Sequence, residues 1–172
     1  MSGKYKGRHI AVRKNFPSRP TTDFSKESLF NIINNHFDFS EITVLDLFAG
    51  TGSISFEFAS RGARVDLVDI DYRSISFIKS IITNLKMANI NAFRADAFKV
   101  IHSLKKQYDI IFADPPYQLG TISTLPDLVY DHDVIKPAGW FILEHSGRLS
   151  FNRHHRFKEI RKYGSVCFSI FE

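Results

Sequence analysis

Apolar and polar positions along this chain form blocks with two different spacings. Short apolar runs rich in β-branched and aromatic residues predict buried strands, whereas apolar residues that repeat every three or four positions predict amphipathic helices. The predicted strands are residues 43–48, 64–69, 91–95, 108–113 and 140–144, followed by residues 158–163 and 165–171. The predicted helices are residues 53–60, 74–87 and 97–105, with one more around 124–134 and an earlier one that Thr22 would cap.

The alternation of strands and helices predicts an α/β fold. Repeated strand–helix units with short turns favour a mostly parallel, doubly wound, seven-stranded sheet with helices on both faces. The last two predicted strands, which join near Gly164, favour an antiparallel hairpin at one edge. Ligands of such sheets bind at the carboxyl ends of the strands, near the point where the strand order reverses. We therefore expect the functional residues where predicted strands end.

The composition is ordinary for a single globular domain, which we assign to residues 1–172. Hydrophobic residues make up 44% and charged residues 24%, and no apolar run approaches the roughly 18 residues of a membrane span, so no membrane partner is expected. The one cysteine, Cys167, lies in an apolar run and is expected in the core rather than as a nucleophile. A single cysteine cannot form an internal disulfide, which favours a cytoplasmic location, and nothing in the sequence demands more than a monomer.

Positive charge is concentrated at the start of the chain. The net charge is +5, and residues 1–26 contain seven Lys or Arg against one acid. A basic N-terminal arm, residues 1–20, favours a nucleic acid partner through counterion release, although a solvated tail would look the same. A second basic cluster in residues 148–158 could widen this surface or form a solvated loop. Its adjacent His154 and His155 lack the spacing of metal ligands, so no metal is predicted. The candidate phosphate-binding residues are Lys4, Lys6, Arg8, Arg13, Lys14 and Arg19.

The predicted first strand leads into the sequence DLFAGTG, residues 46–52. Gly50 and Gly52 at a strand-to-helix junction let the backbone turn tightly and approach a ligand. A dinucleotide-binding loop would have glycine or alanine at position 55, but Ser55 stands there, and Asp46 would repel a pyrophosphate. The loop therefore favours a cofactor that carries a positive charge.

Acidic residues also end the second and third predicted strands. Asp69, 19 residues after Gly50, is placed to accept hydrogen bonds from ribose hydroxyls, while Asp71 is expected to be an acid at a helix start. Asp96 could meet an adenine amino group or cap the helix that follows. An adenosine with a positive centre and an amino-acid tail, S-adenosylmethionine, would satisfy all of these acids. The candidate cofactor-binding residues are Asp46, Phe48, Ala49, Gly50, Thr51, Gly52, Asp69, Ile70, Asp96 and Ala97.

The sequence FADPPY, residues 112–117, closes the fourth predicted strand. Proline cannot donate a ladder hydrogen bond and pushes the preceding residue to extended geometry, so the strand must stop at Asp114. Two fixed φ angles then hold the Asp114 carboxylate and the carbonyl groups of Asp114 and Pro115 in place, with the Tyr117 ring just beyond. Such a loop presents hydrogen-bond acceptors and a stacking surface, although Asp114 could instead be a turn cap.

These motifs resemble those of a known group of enzymes. DLFAGTG, Asp69, RADAF and DPPY occur in the order seen in class I S-adenosylmethionine-dependent methyltransferases with an Asp/Asn-Pro-Pro-Tyr/Phe motif, which act on exocyclic amines. GRHIAV, RPTTDFSKESLFN and RKYGSVCFSIFE further resemble the RsmD family, the 16S rRNA guanine-N2 methyltransferases whose familiar target is guanine 966. The resemblance covers nearly the whole chain and departs at Asp69, where glutamate is expected. It implies a Rossmann-like class I methyltransferase fold, S-adenosylmethionine as cofactor, and 16S rRNA or the small ribosomal subunit as partner.

The resemblance also implies a mechanism. Asp114 and the Pro115 carbonyl would accept hydrogen bonds from a guanine amino group and aim its lone pair at the methyl sulfonium, without a metal or a covalent intermediate. Tyr117 would stack on the extruded base, and the basic arm would hold RNA phosphates. The segment RPTTD, which begins at Arg19, could instead close over the cofactor. The residues implied to be catalytic are Asp114, Pro115, Pro116 and Tyr117.

Other functions stay open at this point. A DNA adenine-N6 methyltransferase would use the same acceptors, but it would need a base-reading domain that 172 residues do not accommodate. A non-catalytic RNA-binding or assembly factor could keep the cofactor fold, although the intact DPPY motif disfavours it. A nicotinamide-dependent dehydrogenase is less favoured still, because of Ser55 and Asp46.

Overall fold

Seven strands form one mixed sheet in the computed structural model, which describes residues 1–8, 10 and 23–172. The strands are β1 Thr43–Asp46, β2 Arg64–Asp69, β3 Ile90–Arg94, β4 Tyr108–Ala113, β5 Ile135–Ser146, β6 Phe157–Tyr163 and β7 Val166–Phe171. Their order in the sheet is β3-β2-β1-β4-β5-β7-β6. β1 to β5 are parallel, and β7 is antiparallel to both β5 and β6. The predicted parallel sheet with an antiparallel C-terminal hairpin is therefore confirmed.

Helices cover both faces of this sheet. In the described part of the chain they are α1 Asp23–Asn34, α2 Ser53–Arg61, α3 Tyr72–Leu85, α4 Ala97–Ser103 and α5 Leu125–Asp131, with short 3-10 helices at Gly3–Tyr5 and Ile122–Thr124. The carboxylates of Asp71 and Asp96 accept hydrogen bonds from backbone N–H groups at the starts of α3 and α4. No helix within the described ranges has the length and apolar character needed to cross a membrane.

The apolar core has two parts, one on each face of the sheet. Val44 of β1 and Ile110 of β4 pack with residues of α1, α2 and α3. Their chain neighbours Leu45 and Ile111 pack with residues of α4 and α5. Successive side chains of a strand point to opposite faces, so a strand buried on both faces must be apolar along its whole length. This is why the central strands appear in the sequence as continuous apolar runs.

The fifth strand is longer than the sequence predicts. β5 begins at Ile135 rather than at position 140, and its register with β4 shifts between Tyr108 and Ile110. Ala138 has a φ of 59°, and a Cβ at Gly139 would lie 2.8 Å from the Asp109 carbonyl oxygen. Proline and glycine in residues 136–139 look like a turn in the sequence, but here they belong to an irregular part of a strand.

Other element boundaries differ from the predictions by a few residues. β1 ends at Asp46, so positions 47 and 48 belong to the loop that follows it. α3 begins at Tyr72, before the predicted position 74, because Asp71 supplies its cap. α5 occupies only the middle of the predicted residues 124–134.

The start of the basic arm is docked onto α2. The backbone N–H of Ser2 donates to the buried Glu57 carboxylate (3.1 Å), and the N–H of Tyr5 donates to the Ser60 hydroxyl (3.1 Å). Gly3 allows this approach because its φ is 70° and a Cβ there would lie 2.1 Å from the Ser60 carbonyl oxygen. The first residues of the arm therefore form a fixed surface rather than a solvated tail.

Candidate active site

A cavity of about 300 Å³ opens at the carboxyl ends of the parallel strands. It lies where the strand order reverses, because β1 has β2 on one side and β4 on the other. Loops that follow β1, β2, β3 and β4 all contribute to its lining, so the cavity joins the predicted cofactor residues to the DPPY motif. The predicted site residues that line it are Asp46, Phe48, Ala49, Gly50, Thr51, Asp69, Ile70, Asp96, Ala97, Asp114 and Pro116.

Three predicted site residues are placed differently. Gly52 is the N-cap of α2 with a φ of 77°, and a Cβ there would lie 2.7 Å from the Phe56 ring. Pro115 is buried beneath the loop. Tyr117 is 48% exposed and lines a second, neighbouring cavity. Gly52 therefore shapes the loop, while Tyr117 faces a different space from the one that Asp114 faces.

The glycine-containing loop after β1 is held in place by backbone hydrogen bonds to both neighbouring strands. The N–H of Leu47 donates to the Phe112 carbonyl of β4 (2.9 Å), and the N–H of Ala49 donates to the Val68 carbonyl of β2 (3.0 Å). Gly50 has a φ of 53°, which an L side chain rarely adopts. Backbone hydrogen bonds to β2 and β4 therefore fix the conformation of this loop.

Asp46 is buried at the base of this loop. The Ser55 hydroxyl donates to one of its carboxylate oxygens (2.6 Å), and the Phe48 N–H donates more weakly to the other (3.3 Å). Burial raises the pKa of Asp46 to about 7; the two hydrogen bonds oppose this effect and the Asp69 charge adds to it. The role of Ser55 as a hydrogen-bond donor is new, since the sequence showed only that it breaks a dinucleotide fingerprint.

Asp69 ties the loops after β1 and β2 together. One carboxylate oxygen accepts from the Gly50 N–H (2.7 Å), and the other accepts from the Asp71 N–H (2.8 Å). Each carboxylate oxygen has a second lone pair, so both can still accept a hydrogen bond from a hydroxyl. Asp69 thus combines a structural role with its predicted contact to ribose, which stays a prediction.

The two other acids near this edge act as helix caps. Asp71 accepts from the Arg73 N–H (2.6 Å), which confirms the prediction of an acid at a helix start. Asp96 accepts from the Lys99 N–H (3.0 Å) and also lines the cavity. The cap interpretation of Asp96 is confirmed, and its contact with an adenine stays a prediction.

Asp114 lies where β4 ends and the two prolines begin. Burial raises its pKa to about 8, and the charges of Glu144 and Asp46 add to the effect. Within the described residues, no hydrogen bond offsets this rise, in contrast to Asp46. A carboxyl group in this position would gain most from a donor that a ligand brings, and no described residue makes the hydrogen bond of a turn cap with it.

Glu144 is a buried acid beside Asp114 that sequence reasoning missed. It is 4% exposed near the end of β5. The parallel register pairs Ala113 with Leu143, so the next residues, Asp114 and Glu144, are neighbours across β4 and β5. A single acid inside the apolar run WFILEHS was the available signal, because a charge seldom occurs in a buried strand without a role.

Aromatic and aliphatic side chains complete the cavity. Phe48 and Phe98 meet edge to face with ring centroids 6.4 Å apart, and both line the cavity. Ile70 is 65% exposed beside them, which leaves an apolar side chain available at the rim. The sequence predictions include Phe48 and Ile70 but not Phe98, because the direction of this second residue of α4 depends on how that helix packs.

The described basic residues of the arm lie far from the cavity. Ser53, at the start of α2, lines the cavity, whereas Ser60, near the end of α2, contacts the arm. A nine-residue helix is about 13 Å long, and Lys4, Lys6 and Arg8 are exposed at its far end. Their binding to RNA stays a prediction. Arg13, Lys14, Arg19 and the rest of the RPTTD segment through residue 22 lie outside the described residues.

The histidines and the cysteine of the C-terminal part have structural partners. His154 contacts the Asp127 carboxylate through Nε2 (3.1 Å) and stacks on His155. Cys167 is buried in β7, as predicted. Within residues 1–8, 10 and 23–172, no group of three His, Cys, Asp or Glu side chains is arranged to hold a metal ion.

The sheet order and the ligand-sized cavity at its switch point define a class I methyltransferase fold. A solved structure with this fold is the T. thermophilus 16S rRNA N2 G1207 methyltransferase (RsmC) in complex with AdoMet and guanosine. It matches with a TM-score of 0.71 at 20% sequence identity, over 91% of this chain and 44% of that chain. This likeness concerns the fold.

The family described as conserved hypothetical protein 95 matches residues 1–172. The chain is 31% identical over 151 residues to ribosomal RNA small subunit methyltransferase D of Buchnera aphidicola subsp. Baizongia pistaciae, which covers 87% of this chain and 76% of that protein. It is 30% identical over 150 residues to the protein of the same name from Haemophilus influenzae, with 84% and 76% covered. The chain therefore belongs to the RsmD family of methyltransferases.

Proposed function

We propose that this protein transfers the methyl group of S-adenosylmethionine to the exocyclic N2 of a guanine in 16S rRNA of the small ribosomal subunit. The observation that carries the proposal is a single cavity that brings the glycine-containing loop, Asp69 and Asp114 together. Family membership supports it, since relatives are named for methylation of small-subunit ribosomal RNA.

The residues of the cavity fit S-adenosylmethionine. Asp46 and Asp69 would face its cationic groups and its ribose hydroxyls, and Phe48 and Phe98 would pack against the adenine. Burial raises the pKa of Asp46 to about 7, and a positive charge nearby would favour the ionised form. When bound, S-adenosylmethionine supplies an electrophilic methyl group. A pyrophosphate would fit poorly because these acids would repel it.

Asp114 and the Pro115 carbonyl suit the amine that receives the methyl group. Ionised Asp114 accepts hydrogen bonds from a guanine amino group, which holds the nitrogen at the mouth of the cofactor cavity. Two proline rings restrict the loop, so these acceptors lose little freedom on binding. Methyl transfer would form the carbon–nitrogen bond as the methyl–sulfur bond breaks, with the bonding electron pair left on sulfur. The methylated nitrogen is then acidic, and Asp114 or water can take the proton that it loses.

The test is methyl transfer from labelled S-adenosylmethionine to unmodified small ribosomal subunits, free 16S rRNA and duplex DNA, with mass mapping of the product nucleoside. We expect N2-methylguanosine in 16S rRNA. Label in N6-methyladenine of DNA would overturn the substrate. Cofactor binding without transfer to any of the three would favour a non-catalytic assembly factor instead.

A further inference from the structure

A second cavity of about 270 Å³ lies beside the DPPY loop. Residues that follow β4 and residues that follow β5 line it together, and Leu119 lines both this cavity and the first one. The two cavities are therefore separated by the short loop after Pro116. The polar and aromatic residues that line the second cavity are Tyr117, Gln118, Ser123, Ser146 and Arg148.

The lining of this cavity combines the groups that bind single-stranded nucleic acid. Tyr117 is 48% exposed and offers a ring on which a base can stack. Gln118 and Ser123 are exposed, and each can donate hydrogen bonds to the edge of a base or accept them from it. Arg148 is exposed at the rim and can pair with a phosphate. The lining residues carry one positive charge and no acid, in contrast to the acidic cofactor cavity.

The position of the second cavity matches the path that an RNA strand must take. Asp114 directly follows the end of β4, and Arg148 follows the end of β5, the neighbouring strand in the sheet. A base held at Asp114 has its sugar and phosphates outside the cofactor cavity. Lys4 and Lys6 lie near the end of α2 that is remote from the cofactor cavity. Arg148 lies at the same edge of the sheet as Asp114, where the parallel strands β4 and β5 end.

We propose that the second cavity binds the nucleotide adjoining the methylated guanine, with its base edge on Gln118 and Ser123 and its phosphate on Arg148. The inference rests on the proposed function for the identity of the neighbouring base. The inference goes beyond the proposed function because it assigns RNA binding to the loop after β5 and not only to the basic arm.

The test compares Arg148→Ala and Arg148→Lys with Arg153→Ala, which removes an exposed arginine of the same region that does not line the cavity. Affinity for a fluorescein-labelled single-stranded RNA oligonucleotide is measured by anisotropy over a range of salt concentrations. For Arg148→Ala we expect roughly three- to tenfold weaker binding and a salt slope lower by about 0.7, the value for one lost phosphate contact. Arg148→Lys should keep the slope, and Arg153→Ala should resemble wild type.

Steady-state kinetics on unmodified small subunits separate this role from a structural one. Arg148→Ala should raise KM for RNA and leave KM for S-adenosylmethionine unchanged. Equal losses in Arg148→Ala and Arg153→Ala, or RNA binding by Arg148→Ala at the wild-type level, would overturn the subsite. RNA binding that depends on Arg148 without N2-methylguanosine formation would retain the subsite and refute the proposed function.

Discussion

The loops after β1 and β4 both end a buried strand with an aspartate, but they treat that acid in opposite ways. The first loop turns at Gly50 and Gly52, and Ser55 and Phe48 supply donors to Asp46. The second loop is restricted by two prolines, and no described residue donates to Asp114. The pKa is raised to about 7 in the first case and about 8 in the second, burial being the main cause in both. Asp46 thus receives its hydrogen bonds from the protein, whereas Asp114 can accept them from a ligand.

The largest expected effect comes from removing the available acid. Asp114→Ala should lower kcat by about 100- to 1,000-fold, the range seen when a group that stabilises a transition state is deleted. Affinity for S-adenosylmethionine, measured by calorimetry, should change little, because the proposed contact of Asp114 is with the amine and not with the cofactor. The matched control is Asp131→Ala, at an exposed position at the end of α5. A near-normal rate for Asp114→Ala would refute its assigned role.

A substitution in the glycine-containing loop should lower the stability of the protein. Gly52→Ala places a Cβ at a φ of 77° and 2.7 Å from the Phe56 ring. We expect the free energy of unfolding to fall by about 1–3 kcal/mol in urea titrations. Gly120→Ala is the control, because a Cβ there has no atom within 4 Å. Equal stability of the two variants would contradict the strained turn.

The pH dependence of the reaction should report Asp114. The ionised form is the stronger acceptor for an amino group and the only form that can take up its proton, so kcat/KM should rise about tenfold per pH unit below pH 8 and level off above it. Glu144→Gln removes a neighbouring negative charge and should move the midpoint to lower pH. A flat profile from about pH 6 to 9 would show that Asp114 does not ionise in this range.

A further effect concerns the stability of the protein in the absence of S-adenosylmethionine and RNA. Because its folded-state pKa is raised, Asp114 contributes stability at low pH that is lost as the pH rises through about 8. Asn does not ionise, so Asp114→Asn should melt higher than wild type at pH 8.5, with little difference near pH 4. Each kcal/mol corresponds to about 2–4 °C in a domain of this size. A constant difference across this range would contradict a raised pKa.

The sequence predicts most of the fold because its signals are local. Buried parallel strands are continuous apolar runs, Asp71 stands next to the helix that it caps, and Asp114 is fixed by the prolines after it. The bulge at residues 136–139 escapes prediction because proline and glycine there resemble a turn, and only the pairing with β4 shows otherwise.

The parts of the candidate site that the sequence does not predict depend on contacts between distant residues. Ser55 reaches Asp46 only because the chain turns at Gly52, and Glu144 meets Asp114 only through the register of β4 and β5. Tyr117 belongs to the predicted motif, yet its direction follows from the loop beyond the prolines, which no local rule specifies.

The C-terminal hairpin affects whether a strand of another protein chain can pair with the edge of the sheet. β6 is the last strand of the sheet in residues 1–8, 10 and 23–172, so within these residues one side of its backbone has no neighbouring strand. Its exposed side chains include Lys158, Arg161 and Lys162. Charged side chains along an edge strand oppose the addition of a strand from a second molecule. The hairpin that completes the fold should therefore also protect the protein against aggregation through its sheet edge.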